Sequence, residues 1–149
     1  MTKVAYLFGY NPDLQITHRR IDVWAHRMQD EFDDTGKVSC SKTEGWTCAN
    51  SHVEVGDEAF LFRHGRYLER GIIGHGFVVW PLIERPSFTS GKPYRGAPIE
   101  WDALKMHGAP LIGMTALRRI DGPWSSQASG IQIKPAAAKA LRAIWRNRS

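Results

Sequence analysis

The sequence predicts an α+β fold, a strongly curved β-sheet closing towards a barrel with helices packed outside it. Three observations predict this. Strand patterns crowd the middle of the chain, amphipathic helix patterns lie near its two ends, and no βαβ alternation appears, which argues against a Rossmann-type sheet. The 149 residues fit a single domain, and a 42% hydrophobic fraction is enough for one packed core.

The elements follow in order. Val4 to Gly9 reads as a first strand, closed by the turn "YNPD" at Tyr10 to Asp13. A helix follows, with Thr17 as N-cap and Ile16 and Ile21 spaced as a hydrophobic staple. Its apolar stripe is Ile21, Trp24, Met28 and Phe32, and Gly36 ends it. Lys37 to Gly45 is polar and reads as a loop. "VGD" (Val55 to Asp57) is a tight turn into a strand at Glu58 to Arg63, and "HGRYLERG" connects it to a strand at Gly71 to Trp80. Gly74 and Gly76 inside that strand imply a bulge or a close backbone approach. Pro81 to Pro98, with four prolines and two glycines, reads as a loop. Ile99 to Lys105 alternates like a half-buried strand, Pro110 to Ile120 reads as a short helix ending in "LRRI", and "GIQI" as a short strand. Pro135 suits the first turn of a last helix, with Leu141, Ile144 and Trp145 inward and Lys139, Arg142, Arg146 and Arg148 outward.

Composition narrows the function. A net charge of +5 and a pI of about 9.5 favour an acidic partner such as nucleic acid. Cys40 and Cys48 lack CxxC spacing, so the expectation is a reduced, cytoplasmic chain. The opening apolar run is too short for a signal peptide, and nothing approaches the ~20 apolar residues of a membrane span. No phosphate-cradling glycine motif occurs. The six histidines are scattered without HExxH, so neither metal nor cofactor is expected. Cys48 reads as a small buried hydrophobe, and Glu100 and Asp102 as solvent-facing strand residues. No catalytic set emerges, and the chain reads as a non-enzyme.

Binding features are more coherent. "GYNP" (from Gly9), "GWTCAN" (around Trp46) and "GPWSSQASG" (around Trp124) each set an aromatic beside a turn with amide or hydroxyl groups. If they converge, they form an aromatic cage with hydrogen-bonding edges, suited to a flipped base. Stacking is worth ~1–3 kcal/mol per base and unpairing costs about as much, so phosphate contacts must supply the net affinity. Arg63, Arg66, Arg70, Arg118 and Arg119 are the candidates for those contacts. The plainer alternatives are a Trp124 that plugs the end of a core and arginines that are solvated surface charges.

Taken in order, "YLFGYNP", "GWTCANSHVEVGDEAFLFRHGRYLERGIIGHGFVV", "IEWDALK" and "PWSSQASGIQI" resemble the EVE domain of the PUA-like superfamily. Within it, they are most similar to the EVE-like domain found ahead of HNH nuclease domains in modification-dependent restriction endonucleases. The resemblance runs from about Lys3 to Trp145. It implies a curved sheet closed towards a barrel, and a pocket for a flipped cytosine carrying a 5-methyl or 5-hydroxymethyl group. By residue, Trp46 and Trp124 match the family's pocket aromatics, and Asn50, Ser126, Gln127, Ser129 and Gly130 also match. Tyr10 stands where relatives often carry tryptophan, Thr47 replaces a frequent serine and Ala49 a frequent glycine.

The resulting expectation is a modified-base reader that binds DNA. Trp46 and Trp124 would stack on the base, with Tyr10 and Thr47 beside them. Asn50, Ser126 and Gln127 would bond its edge, and Ser129 and Gly130 would let the backbone approach. The sequence ends at Ser149 without an HNH module, so any cleavage in a restriction or defence role is expected from a separate domain or chain. An RNA-binding PUA-like module and a small nucleotide-acting hydrolase or toxin are the alternatives.

Overall fold

The computed structural model describes residues 4–12, 21–39, 46–65, 68–86, 93–126 and 128–148. The elements in chain order are β1 (Ala5–Tyr10), α1 (Ile21–Thr35), β2 (Val38–Ser39), β3 (Trp46–Thr47), β4 (Glu58–Arg63), β5 (Gly71–Val78), β6 (Ile83–Pro86), β7 (Pro93–Ala97), β8 (Ile99–Leu104), β9 (Ile112–Gly113), α2 (Met114–Leu117), β10 (Ile131–Ile133) and α3 (Pro135–Asn147). The α+β class holds. The main sheet runs β10-β1-β4-β5-β8-β2, with β9 on β5, and it curls without closing into a barrel. The four predicted long strands all belong to it. The β1–β4 pair is parallel with α1 in the connection between them, so one βαβ unit occurs where the sequence pattern suggested none, and the other pairings are antiparallel.

Strand alternation divides the core between the two faces of this sheet. Tyr6, Phe8 and Tyr10 of β1, with Ala59 and Leu61 of β4, join Ala25 and Met28 of α1 on one face. Ala5 and Leu7, with Phe60 and Phe62, join Leu117 of α2 and Ala137, Ala138 and Leu141 of α3 on the other. The two long helices therefore cover opposite faces. Leu141 is fully buried, and Ile144 and Trp145 are partly buried against the second cluster, as the periodicity requires. Gly36 does end α1, its N–H donating to Phe32 O at 2.7 Å. The predicted cap at Thr17 lies outside the described residues.

The reading of residues 81–98 as a loop is corrected. Segments β6 and β7 form an antiparallel hairpin, and β7 also pairs with β3 to make a second, three-stranded sheet. Its prolines stand at Pro86 and Pro93, the last residue of one strand and the first of the next, where a missing N–H costs least. Within β5, the expected bulge falls between His75 and Gly76 in the pairing with β8, and a side chain at Gly76 would run into the Glu100 carbonyl.

Candidate nucleic-acid interface

The three aromatic stretches meet, and Ser129 and Gly130 join them. The Ser129 hydroxyl accepts a hydrogen bond from Gly9 N–H at 3.1 Å, and its carbonyl accepts one from Ala49 N–H at 2.8 Å. Gly130 N–H donates to Leu7 O at 2.9 Å. Gly130 has φ +82, and an added Cβ would lie 2.6 Å from Cys48 Sγ, so both conformation and closeness demand glycine. The end of β1, the Cys48–Asn50 segment and the Ser129–Gly130 turn thereby converge beside Tyr10, and this junction is the candidate mouth.

Two residues border this mouth that the sequence reading did not assign to it. His64 follows β4, and its N–H donates to Tyr10 O at 2.7 Å. Its imidazole abuts Gly9, where a Cβ would lie 3.1 Å from Nε2. Nδ1 of His64 is buried without a hydrogen-bond partner among the described residues. Burial, and then the positive charge of Arg70, hold the His64 pKa below its usual value, so the ring is neutral at pH 7. The second residue is Arg95, whose guanidinium donates to Ala49 O at 2.9 Å and whose carbonyl accepts from Cys48 N–H. It lies on β7, in the segment read as loop. For His64 a signal was available, since it directly follows a strand that pairs with β1.

At Asn50 the side-chain oxygen accepts from His52 N–H at 2.7 Å, and the backbone carbonyl accepts from the Cys48 thiol at 3.2 Å. This turn holds the side chain in place and leaves its NH2 without a bond among the described residues. The Cys48 thiol is buried, which raises its pKa despite that bond and the nearby Arg95. Thr47 is exposed, and Tyr10 is buried at the end of β1. Ser126 Oγ accepts from Ala128 N–H at 3.3 Å and so shapes the loop. Gln127 and Arg66 lie outside the described residues.

The two tryptophans expected to face each other are not brought together. Trp46 packs with Tyr10 and Cys48 in the cluster under α1, edge-on to Trp101 with centroids 5.4 Å apart. Trp124 belongs to the cluster under α3. Its indole N–H donates to Ile120 O at 3.0 Å, its ring stacks at 6.3 Å on Phe62, and it lies so close to Gly122 that a Cβ there would clash. Only 6% of Trp124 is exposed. The pairing of Trp46 with Trp124 as two cage walls is thus corrected, because the sheet stands between their clusters.

Arg63 is a second correction. It is fully buried at the end of β4. Its guanidinium donates to Glu69 O at 2.6 and 2.9 Å, to Gly108 O at 2.6 Å and to Met106 O at 3.2 Å. With four of its five N–H donors on carbonyls and no exposed surface, this guanidinium ties the chain after β8 and the segment before β5 to the strand and is out of reach of a phosphate. Arg70, Arg118 and Arg119, by contrast, line a cleft of about 590 Å³ together with Trp124, Ser125 and Asp121.

A further charged cluster was not anticipated. His75 Nδ1 lies 2.7 Å from Asp102 Oδ1, and its Nε2 lies 2.8 Å from Glu58 Oε2. Arg142 of α3 donates from Nε to the other Glu58 oxygen, and Trp145 stacks on the imidazole at 5.1 Å. Burial alone would push the His75 pKa down, but the bonds to Asp102 and Glu58 and their charges outweigh it and raise it to about 9. Burial likewise opposes the Glu58 charge, yet His75 and Arg142 together lower its pKa. With both ring nitrogens taken and the ring covered, His75 is a clamp between sheet and α3 rather than a general base. Among the described residues no group of three or more His, Cys, Asp or Glu side chains could hold a metal ion, and no helix is long and apolar enough to cross a membrane.

No protein-family model and no curated protein matches this sequence. Among solved structures, the fold is similar to that of human THYN1 protein, determined in complex with 5-methylcytosine containing DNA, with a TM-score of 0.59 and 12% identity over 99% of this chain and 100% of that one. The likeness is one of fold, a curved mixed sheet flanked by helices.

Proposed function

We propose that this domain binds DNA and reads a modified cytosine, taken out of the stack into the mouth framed by Tyr10, Asn50, His64 and Ser129. The observation that carries the reading is the meeting of three sequence-distant stretches at Ser129–Gly130, in a fold similar to that of a protein solved with 5-methylcytosine DNA. An extruded base needs an apolar face and polar groups on its edge. Tyr10 and Trp46, both buried in one cluster, back this junction with an apolar floor rather than an open stacking face. The Asn50 NH2 suits the acceptor edge of cytosine, its O2 and N3, and the neutral His64 adds a buried nitrogen with unused bonding capacity. Thr47, Ser126 and Gly130 complete the loops that approach the base. Any strand cleavage is the work of a separate module, of the HNH type that the motif resemblance implies.

Fluorescence tests base extrusion directly. A fluorescent base analogue placed next to 5-methylcytosine in a duplex brightens when the cytosine leaves the stack. Brightening on binding, absent with an unmodified duplex and with RNA of the same sequence, supports the reading. Tight binding without brightening counts against extrusion.

A further inference from the structure

The arginines of this chain differ in what they already hold. Arg63 is engaged by backbone carbonyls, Arg142 by Glu58 and Arg95 by Ala49 O. Arg118 and Arg119 make no side-chain hydrogen bond or ion pair among the described residues, and both are exposed. Among the described residues Arg70 makes only a long hydrogen bond, 3.4 Å to Trp124 O, and its Nε is buried without a partner. These three guanidiniums line one cleft, against a single carboxylate, Asp121.

The cleft is built, not incidental. Arg118 and Arg119 sit on the turn that ends α2, where Arg118 N–H bonds Met114 O and Arg119 N–H bonds Ala116 O. Leu117 and Ile120 are buried on either side, and the Trp124 indole braces the turn through Ile120 O. Arg70 is held over the Phe62 ring at 5.7 Å, a cation–π contact that fixes a charge without using its hydrogen bonds. Phe62 also packs on His64, 4.7 Å between centroids, so cleft and mouth share one ring.

We propose that the cleft of Arg70, Arg118 and Arg119 binds a phosphate group, namely the phosphodiester of the strand whose base enters the mouth. Guanidinium forks match phosphate oxygens in bidentate fashion, and unengaged ones incur no loss of protein bonds on binding. Phe62 touches both Arg70 of the cleft and His64 of the mouth, so one strand can engage both. The phosphate chemistry stands on the cleft alone, while the identity of the strand rests on the DNA reading.

The test uses the whole chain, the Arg118→Ala/Arg119→Ala variant and the Arg118→Lys/Arg119→Lys variant, with melting measured to verify folding. Affinity for a 5-methylcytosine duplex and its unmodified twin is followed against salt, and inorganic phosphate is titrated as a competitor. The alanine variant should lose at least tenfold for both duplexes by the same factor. Its log–log salt slope should flatten by about 2, close to one per phosphate contact removed, while the lysine variant keeps most of the slope. Inorganic phosphate should compete with duplex for the wild-type protein more than salt of equal ionic strength does. Unchanged affinity and slope in the alanine variant overturn the cleft site, as does a loss confined to the modified duplex. A wild type that binds inorganic phosphate but no duplex overturns the strand as occupant. Equal wild-type affinity for the two duplexes, with the slope change intact, sinks the base reading and leaves the cleft standing.

Discussion

Trp46 and Trp124 stand on opposite faces of the seven-stranded sheet, one packed under α1 and the other under α3. They therefore do different work, although their surroundings in the sequence look alike. Trp124 closes a core and braces the turn carrying Arg118 and Arg119. Trp124→Ala is expected to cost ~3–5 kcal/mol of stability, the range for a large buried aromatic. Chemical denaturation measures it. Trp124→Phe keeps most of the packing but leaves Ile120 O without its donor, and should cost ~1–3 kcal/mol. A Trp124→Ala domain that melts like wild type contradicts this role.

Arg63 is expected to behave as a core residue. Arg63→Met leaves the carbonyls of Glu69, Met106 and Gly108 without their donor and should destabilise by several kcal/mol, since each buried unsatisfied group costs ~1–3 kcal/mol. In the fraction that stays folded, the salt slope of DNA binding should be unchanged. A well-folded Arg63→Met domain with a flatter slope would return Arg63 to the phosphate contacts.

At Gly130, substitution tests the framing of the mouth. Gly130→Ala forces a side chain into φ +82, at ~1–2 kcal/mol, and onto Cys48. The Cys48–Asn50 segment must shift, so discrimination between modified and unmodified duplex should fall at least tenfold. Ser129→Ala removes only the acceptor for Gly9 N–H and should have a smaller effect of the same kind. Unaltered discrimination in Gly130→Ala would separate the mouth from base reading.

The His75 clamp makes stability depend on pH. Its folded pKa, about 9, lies above the unfolded value near 6.5, so its stabilisation is fully present below pH 6.5 and is lost as pH rises through 9. The loss is on the order of 3 kcal/mol, from 1.36 kcal/mol per pH unit between 6.5 and 9. Glu58 acts in the opposite direction. Its folded pKa is lowered, so its contribution is present above its unfolded value and disappears as pH falls through the folded one. Melting temperature should decline from pH 6.5 to 9.5 in wild type and be flatter in His75→Gln. Parallel pH profiles for the two proteins would contradict the clamp.

Much of this was legible in the sequence. The strand Glu58–Arg63 falls on its predicted residues, and α3 opens at Pro135 as expected. The close approach at Gly76 was readable because glycine inside a strand has few other uses. The β6–β7 hairpin was not readable, because four prolines argued for loop while only the pairing shows that two of them stand at strand ends. Nor could the sequence place Trp124, since a turn-rich stretch carries no periodicity to say which face its aromatic joins. Arg63 was misread for a different reason. Alternation puts it on the side of Ala59 and Leu61, facing the core, but its charge suggested surface. Three carbonyls, one six residues on and two from the segment after β8, offset the burial, and they are visible only once the chain is folded.

The central claim is that the mouth beside Ser129 distinguishes a modified cytosine from an ordinary one in DNA. The most direct test is equilibrium binding to duplexes of one sequence carrying cytosine, 5-methylcytosine, 5-hydroxymethylcytosine, glucosylated 5-hydroxymethylcytosine or N6-methyladenine. The account predicts at least tenfold tighter binding to one or more of the modified cytosines than to cytosine, with N6-methyladenine no better than the unmodified duplex. Equal affinity across the panel, or a preference for N6-methyladenine, would contradict it.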